Sequence, residues 1–191
     1  MTQNQPPFIQ EMTSQISLNT EEQAFIIQQF KVISVQRNTV LFDVGEYVNQ
    51  LYFIAQGLVK LVYTDANGKE YILGFALENW WECDFGAFLH QHPTSMRLIA
   101  MEKTLLYTLS KDAFITLQTQ IPQLNTYFLN KSMAGSNAAQ QRILSLVSLD
   151  TTRRYHQLLK QSPQWFQRIP KKHLATYLGV SRETLSRMLK R

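Results

Sequence analysis

The sequence predicts an α+β chain: an N-terminal antiparallel β-roll of jelly-roll type, a long helix after it, and a C-terminal helix-turn-helix. Three observations carry that expectation. Residues 31–109 contain many short β-prone runs separated by turn residues, with little helix between them, which suits an antiparallel sandwich, barrel or jelly roll better than a parallel sheet. Pro122 then opens a stretch that keeps an apolar side as far as Ser148. Two short segments with helical apolar spacing follow, on either side of Gly179.

Composition bounds the function classes. With 191 residues, 45% of them apolar and 17% charged, the chain has the profile of a folded protein rather than a disordered one. Residues 1–10 are polar and include Pro6 and Pro7, with no basic stretch leading into an apolar run, so no secretory signal is expected. No apolar run is long enough to span a bilayer. Cys83 is the only cysteine, which excludes an internal disulfide and leaves too few thiols for a cysteine-ligated zinc site or iron–sulfur cluster. A cytoplasmic protein without a membrane partner is expected. Charge is unevenly placed: residues 1–150 hold 9 basic and 13 acidic residues, whereas 151–191 hold 10 basic and only Glu183 on the acidic side. A cationic tail on an acidic body points to an anionic polymer as the tail's partner.

The elements follow in order. Asn19, with Glu22 three residues later, signals a capped helix over 20–30. Strands are expected at 32–35, 40–42, 51–54, 58–63, 71–73 and 105–109. Asp43-Val44-Gly45-Glu46, Ala55-Gln56-Gly57 and Asp65-Ala66-Asn67-Gly68 supply turns, and Asn67-Gly68 is the strongest hairpin signal. Over 122–148, proline in the first helical turn is cheap because its missing donor has no partner there. Leu124, Tyr127 and Phe128 begin the apolar side, and small residues cluster around Gly135, Ala138 and Ala139. Glycine in a helix interior costs about 1 kcal/mol, which close packing against a second helix offsets. This surface, with Leu124, Phe128, Gly135 and Ala139 as its contacts, is expected to pair two copies of the chain; covering the roll is the plainer alternative. Asp150 can cap a connector helix ending near Ser162-Pro163, with Trp165, Phe166 and Ile169 anchoring it to the last module. The expected division is a roll with its N-terminal helix at 1–121, a dimerisation helix at 122–149 and a helical module at 150–191.

In that module Pro170 opens one helix, Gly179 turns the chain and Ser181 caps a second helix. Leu174, Leu178, Val180, Leu185 and Met188 form a small shared core, and Ala175 lets the helices cross closely. The outer face of the second helix keeps Arg182, Glu183, Ser186 and Arg187. Arginine can give two donors to guanine O6 and N7, and glutamate can accept from cytosine N4. A plain phosphate-binding patch has no use for Glu183, although a glutamate in a first turn also favours its own helix dipole. Base reading is therefore expected of Ser181, Arg182, Glu183, Ser186 and Arg187. Phosphate contact is expected of Lys171, Lys172, Lys190 and Arg191, with Arg153, Arg154 and Arg168 as further candidates.

The run Leu174-Ala175-x-x-Leu178-Gly179-Val180-Ser181-Arg182-Glu183-Thr184-Leu185-Ser186-Arg187 closely resembles the helix-turn-helix of the Crp/Fnr superfamily of transcription regulators. Val40-Leu41-Phe42-x-x-Gly45-Glu46 and Leu51-Tyr52-Phe53-Ile54-x-x-Gly57-x-Val59-Lys60 resemble the start of its cyclic-nucleotide-binding β-roll, and the helix after Pro122 resembles its dimer helix. The resemblance implies a bacterial regulator, not an enzyme, with double-stranded DNA and a second copy as partners. By match, Arg182, Glu183 and Arg187 read bases. Family members usually carry a β-hairpin wing after this helix; the sequence stops at Arg191, as a shorter branch does and as a truncated chain would.

The nucleotide cassette departs from the family pattern. Cys83-Asp84 stands where Gly-Glu is expected and Thr94-Ser95 where Arg-Ser/Thr is expected, with Arg97 three positions away. An unidentified small-molecule effector other than cyclic AMP fits this pattern better, and no cofactor is expected. Trp80, Trp81, Phe85 and Phe88 either line a cavity or pack between sheet and helices. His90 and His92 lack a third ligand, so no metal is expected. Two other classes stay open: a cupin-like metal enzyme, which needs a carboxylate–histidine set absent from the pattern, and a module using its basic helices on another protein or an anionic membrane.

Overall fold

The computed structural model describes residues 5–188, which form eight strands and nine helices. Helices α1 (Pro7–Thr13) and α2 (Thr20–Gln29) come first. Phe8, Ile9 and Met12 bury one side of α1 in the roll. Asn19 caps α2 as anticipated: its side chain accepts from the Glu22 amide, and the Glu22 carboxylate accepts from the Asn19 amide.

The roll is built from β1 (Phe30–Val35), β2 (Val40–Phe42), β3 (Gln50–Gln56), β4 (Val59–Thr64), β5 (Glu70–Ala76), β6 (Trp80–Glu82), β7 (Met96–Ala100) and β8 (Thr104–Ser110), with α3 (Phe85–His90) between β6 and β7. They pair antiparallel in two four-stranded sheets, ordered β1-β8-β3-β6 and β2-β7-β4-β5. All six expected strand runs overlap strands. Asn67-Gly68 lies in the β4–β5 turn, where the Asp65 carboxylate accepts from the Asn67 and Lys69 amides and Gly68 takes φ +77°. Gly57 precedes β4 at φ +112°, and a Cβ there would lie 2.8 Å from the Thr104 Cα, so only glycine fits.

One core cluster covers both faces of the β1-β8-β3-β6 sheet, with Leu51, Phe53 and Leu109 on the face that meets Phe8 and Leu106 on the opposite face; Leu98 of the second sheet and Trp81 and Phe88 belong to the same cluster. Because side chains alternate along a strand, Leu98 points into this core while Ile99 points out of the roll into a second one.

Helix α4 (Lys111–Gln120), capped by Ser110, leads to α5 (Gln123–Ser148). The first turns of α5 correct one expectation. Leu124, Tyr127 and Phe128 are buried within their own chain, packed on Trp81 and Phe114, so Leu124 and Phe128 have no surface left for a second copy. Tyr127 also ties three elements together: its hydroxyl accepts from the Trp81 indole at 2.7 Å and donates to Glu11, which pairs with Lys131. Gly135 and Ala139 lie farther along, with nothing within 4 Å of a Cβ built at Gly135.

The remaining helices are α6 (Thr151–Gln161), α7 (Pro163–Arg168), α8 (Lys171–Leu178) and α9 (Arg182–Met188). Asp150 caps α6 through the Arg153 amide. Tyr155, Leu158, Ile169, Leu174, Leu178 and Leu185 form the second core against Ile72, Phe75 and Ile99, on the outer face of the β2-β7-β4-β5 sheet. That sheet is thus apolar on both faces, which dulls the alternation expected of a half-exposed strand.

Candidate nucleic-acid interface

The turn between α8 and α9 is set by local chemistry. Gly179 adopts φ +71°, and the Val180 amide reaches back to the Ala175 carbonyl at 3.0 Å, closing α8. The Ser181 hydroxyl then accepts from the Thr184 amide at 3.1 Å and caps the start of α9. Leu174, Ala175, Leu178 and Leu185 are buried where the helices meet, with Val180 and Met188 half-buried beside them. With Leu185 buried, Glu183 and Arg187 fall on the opposite side of α9 and are exposed, while Arg182 and Ser181 are exposed at its start and Ser186 is half-buried. Residues at i, i+1, i+4 and i+5 share one helical face. Arg182, Glu183, Ser186 and Arg187 therefore lie on neighbouring positions of the helix, with Ser181 at its cap.

Glu183 is held below the usual carboxylate range by its own backbone amide and the Ser181 hydroxyl, with Arg182 and Arg187 adding to the effect. Its charge is fixed at neutral pH, and it leaves the face with one acceptor between two arginines.

Lys171 and Lys172 are exposed on the first turn of α8; Lys190 and Arg191 lie outside the described residues. The further phosphate candidates fare differently. Arg153 is exposed and pairs at 3.5 Å with Asp150. Arg154 turns back to donate to the Leu149 carbonyl at 2.9 Å, closing the end of α5, and Arg168 is gripped by Glu78 and Glu102 of the roll. Arg154 and Arg168 are structural cations: Arg154 bonds the Leu149 carbonyl and the Thr151 hydroxyl while its buried Nε has no partner, and the carboxylates of Glu78 and Glu102 hold Arg168.

The seam between roll and helical module is polar at its edge and aromatic at its centre. Burial opposes ionisation of Glu78, but the hydrogen bonds from Arg168 and the Gly57 amide outweigh it and bring its pKa down to about 2. Trp165 packs edge to face with Phe75 and with Tyr177, and Phe75 and Tyr177 are tilted against each other. Arg142 of α5 stacks 3.5 Å above the Tyr177 ring and donates to the Ile72 carbonyl. One guanidinium thereby joins the long helix, β5 and α8.

Comparison with known proteins locates this architecture. Residues 32–120 match the cyclic nucleotide-binding domain family. The anaerobic regulatory protein of Haemophilus influenzae is 27% identical over 82% of this chain and 65% of its own length. The cAMP-activated global transcriptional regulator CRP of Salmonella typhimurium is 26% identical over 80% of this chain and 77% of its own. Among solved structures, FixK2 of Bradyrhizobium japonicum superposes with a TM-score of 0.75 over 84% of this chain and 83% of its own, at 15% identity. The chain is similar in sequence to these regulators and shares the fold of the FixK2 structure. It spans just under two thirds of the Haemophilus protein. These Crp/Fnr relatives are regulators by name, and the cupin-like enzyme loses its support; among the described residues no three His, Cys, Asp or Glu side chains are grouped as metal ligands. No helix among them is long and apolar enough to cross a membrane.

The stretch that resembles the nucleotide cassette is engaged in internal bonds. The Asp84 carboxylate caps α3 through the Ala87 amide and accepts from the Thr94 hydroxyl at 2.6 Å. Arg97 forks onto Asp43 at 2.6 and 3.0 Å and lies on the Ile99 side of β7, outside the roll's interior. Neither residue is free to meet a cyclic phosphate or ribose there. Trp81 and Phe88 are core residues, whereas Trp80 and Phe85 are exposed. Cys83 is buried, and burial together with Glu82 and Asp84 pushes its thiol well up, away from reactivity. Sequence reasoning missed the Glu78–Arg168 clasp and the Arg142–Tyr177 stack, since neither pair has a local signature.

Proposed function

We propose that this chain is a dimeric, sequence-specific DNA-binding transcription regulator whose roll has lost the cyclic-nucleotide cassette. The observation that carries the reading is the face of α9: two arginines flank an ionised glutamate, exposed on a capped helix anchored by Leu185. A major groove accepts such a helix, and the mixed face offers donors to guanine and an acceptor to cytosine. Lys171 and Lys172, with Lys190 and Arg191, supply backbone attraction. We divide the chain as roll 1–121, pairing helix 122–149 and reading module 150–191.

Pairing is supported by α5. Beyond its buried first turns, Leu129, Met133, Ile143 and Val147 are exposed, and Val147 is 82% exposed. With Ser136 and Gln140 they repeat at alternating steps of four and three, the seam of a two-stranded coiled coil. Gly135 and Ala139 flank that seam. A two-fold axis along it presents two α9 helices to half-sites about one DNA turn apart.

Selection from a random duplex pool tests the reading. Enrichment of a two-fold-related motif is expected, and recovery of no enriched duplex overturns it. Solution mass at micromolar concentration tests pairing, and a monomer that persists with DNA rejects it.

A further inference from the structure

A second concentration of positive charge lies away from the reading face. A cavity of about 260 Å³ opens between the roll and the start of α8, lined by Arg37, Lys60, Arg97 and His173 over an apolar floor that includes Ile99 and Met101. It sits on the outer side of the β2-β7-β4-β5 sheet, distinct from the family's cassette inside the roll. We propose that this cavity is a binding site for a small phosphomonoester that bridges the roll to the first helix of the reading module.

Charge and burial carry the inference. Lys60 is only 6% exposed, and the carboxylate paired with it is that of Glu70, at 3.6 Å with a side chain 44% exposed. The Lys60 stem is thus buried while its ammonium has a carboxylate only beyond hydrogen-bond distance, and a second anion in the cavity would satisfy it. Arg97 is held in place by Asp43, and Arg37 stands at the β1–β2 turn. Burial and the charges of Lys60, Lys172 and Arg37 keep His173 below its ordinary pKa, opposed only by Glu70. Three lining cations against the carboxylates of Asp43 and Glu70 leave one excess positive charge around a neutral imidazole, with Lys172 nearby, which suits a phosphate anion. Inorganic phosphate fills only part of the volume; the apolar floor is suited to the rest of an ester. A duplex is the poorer occupant, because its backbone does not reach an ammonium recessed between two packed elements.

The ligand would touch β4 through Lys60, the β1–β2 turn through Arg37 and α8 through His173. Ligand affinity and the seating of α8 on the roll are then linked, since whatever favours one must favour the other.

The test uses the full chain without DNA, so its result is independent of the DNA-binding reading. The His173 imidazole resonance is followed while inorganic phosphate and phenyl phosphate replace chloride at constant ionic strength. A saturable shift is expected with each, together with a rise in the pH at which His173 titrates and binding of phenyl phosphate several-fold tighter than phosphate. Lys60→Gln and Arg37→Gln should each weaken binding at least tenfold; Arg37 is exposed, so its variant keeps the fold. A shift that chloride reproduces, or unchanged affinity in the Arg37 variant, overturns the site. Equal affinity for the two phosphates overturns the ester assignment. A shift caused by a duplex but not by either phosphate assigns the cations to the DNA backbone and overturns the small-ligand proposal.

Discussion

Arg168 clasps Glu78 with both terminal nitrogens, at 2.8 and 2.9 Å, and shares one of them with Glu102. The clasp joins α7 of the reading module to the loop after β5. Glu78 also accepts from the Gly57 amide at 2.8 Å, so the same carboxylate braces the turn that opens β4.

Acid should release this clasp. The folded-state pKa of Glu78 is about 2, against an ordinary value of 4.5. A depressed carboxylate stabilises fully above its unfolded pKa and loses that contribution as pH falls through the folded one. Docking of the module should therefore hold above about pH 4.5 and weaken between there and about 2. The group is nearly a third exposed, so after screening we expect only about 1 kcal/mol. The Trp165 indole resonance should follow the change, and Arg168→Ala should remove that pH dependence; an unchanged acid profile in the variant counts against the clasp.

Tyr127→Phe removes the acceptor of the buried Trp81 indole and the donor to Glu11 in one step. An orphaned buried donor costs about 1–3 kcal/mol. Thermal unfolding should show a Tm several degrees lower, with α1 exchanging its amides faster than the sheets.

Gly57→Ala meets two obstacles at once, a positive φ and the Thr104 backbone. Strain and overpacking together suggest a loss on the order of 3 kcal/mol. Gly68→Ala has open space around it and should lose less. Chemical denaturation of the two variants side by side checks the order.

What the sequence made legible, and what it hid, follows from range. Asn19-Glu22, Asn67-Gly68, Asp150 and Gly179-Ser181 act on their immediate neighbours, and each produced the expected cap or turn. Helices α1 and α3 were missed. Both are short, seven and six residues, too few for a periodic signal. Strand β7 alternates between two buried sides, so Leu98-Ile99-Ala100 shows no polar beat. Leu124 and Phe128 display helical periodicity, which states that a face is apolar but not which neighbour covers it. The α9 face was readable because Leu185, by being buried, puts Glu183 and Arg187 on the outward side, with Arg182 exposed at the helix start.

The two parts of α5 should separate by mutation. Ile143→Asp or Val147→Asp places a charge on the exposed seam and should shift the assembly toward monomer at micromolar concentration, with helix content retained. Leu124→Ala empties a fully buried position and should cost about 2–5 kcal/mol of folding stability. Sedimentation and thermal denaturation of the same variants distinguish the two outcomes, and dissociation caused by Leu124→Ala without loss of stability would contradict the burial described here.

The reading face makes the most specific demand. Arg182→Ala or Arg187→Ala should lose about 1–3 kcal/mol of discrimination at one base position if each meets a guanine edge. Lys171→Ala or Lys172→Ala should weaken all duplexes alike and lower the salt slope by about one. Glu183→Ala should act in the opposite sense on nonspecific binding: the carboxylate is ionised, so removing it reduces repulsion of the backbone while relaxing base preference. Affinities for the selected duplex and its single-base variants, measured at several salt concentrations, separate these signatures. If all five substitutions give the same loss on every duplex, α9 reads no bases, and the basic end of the chain is an anion-binding surface without sequence preference.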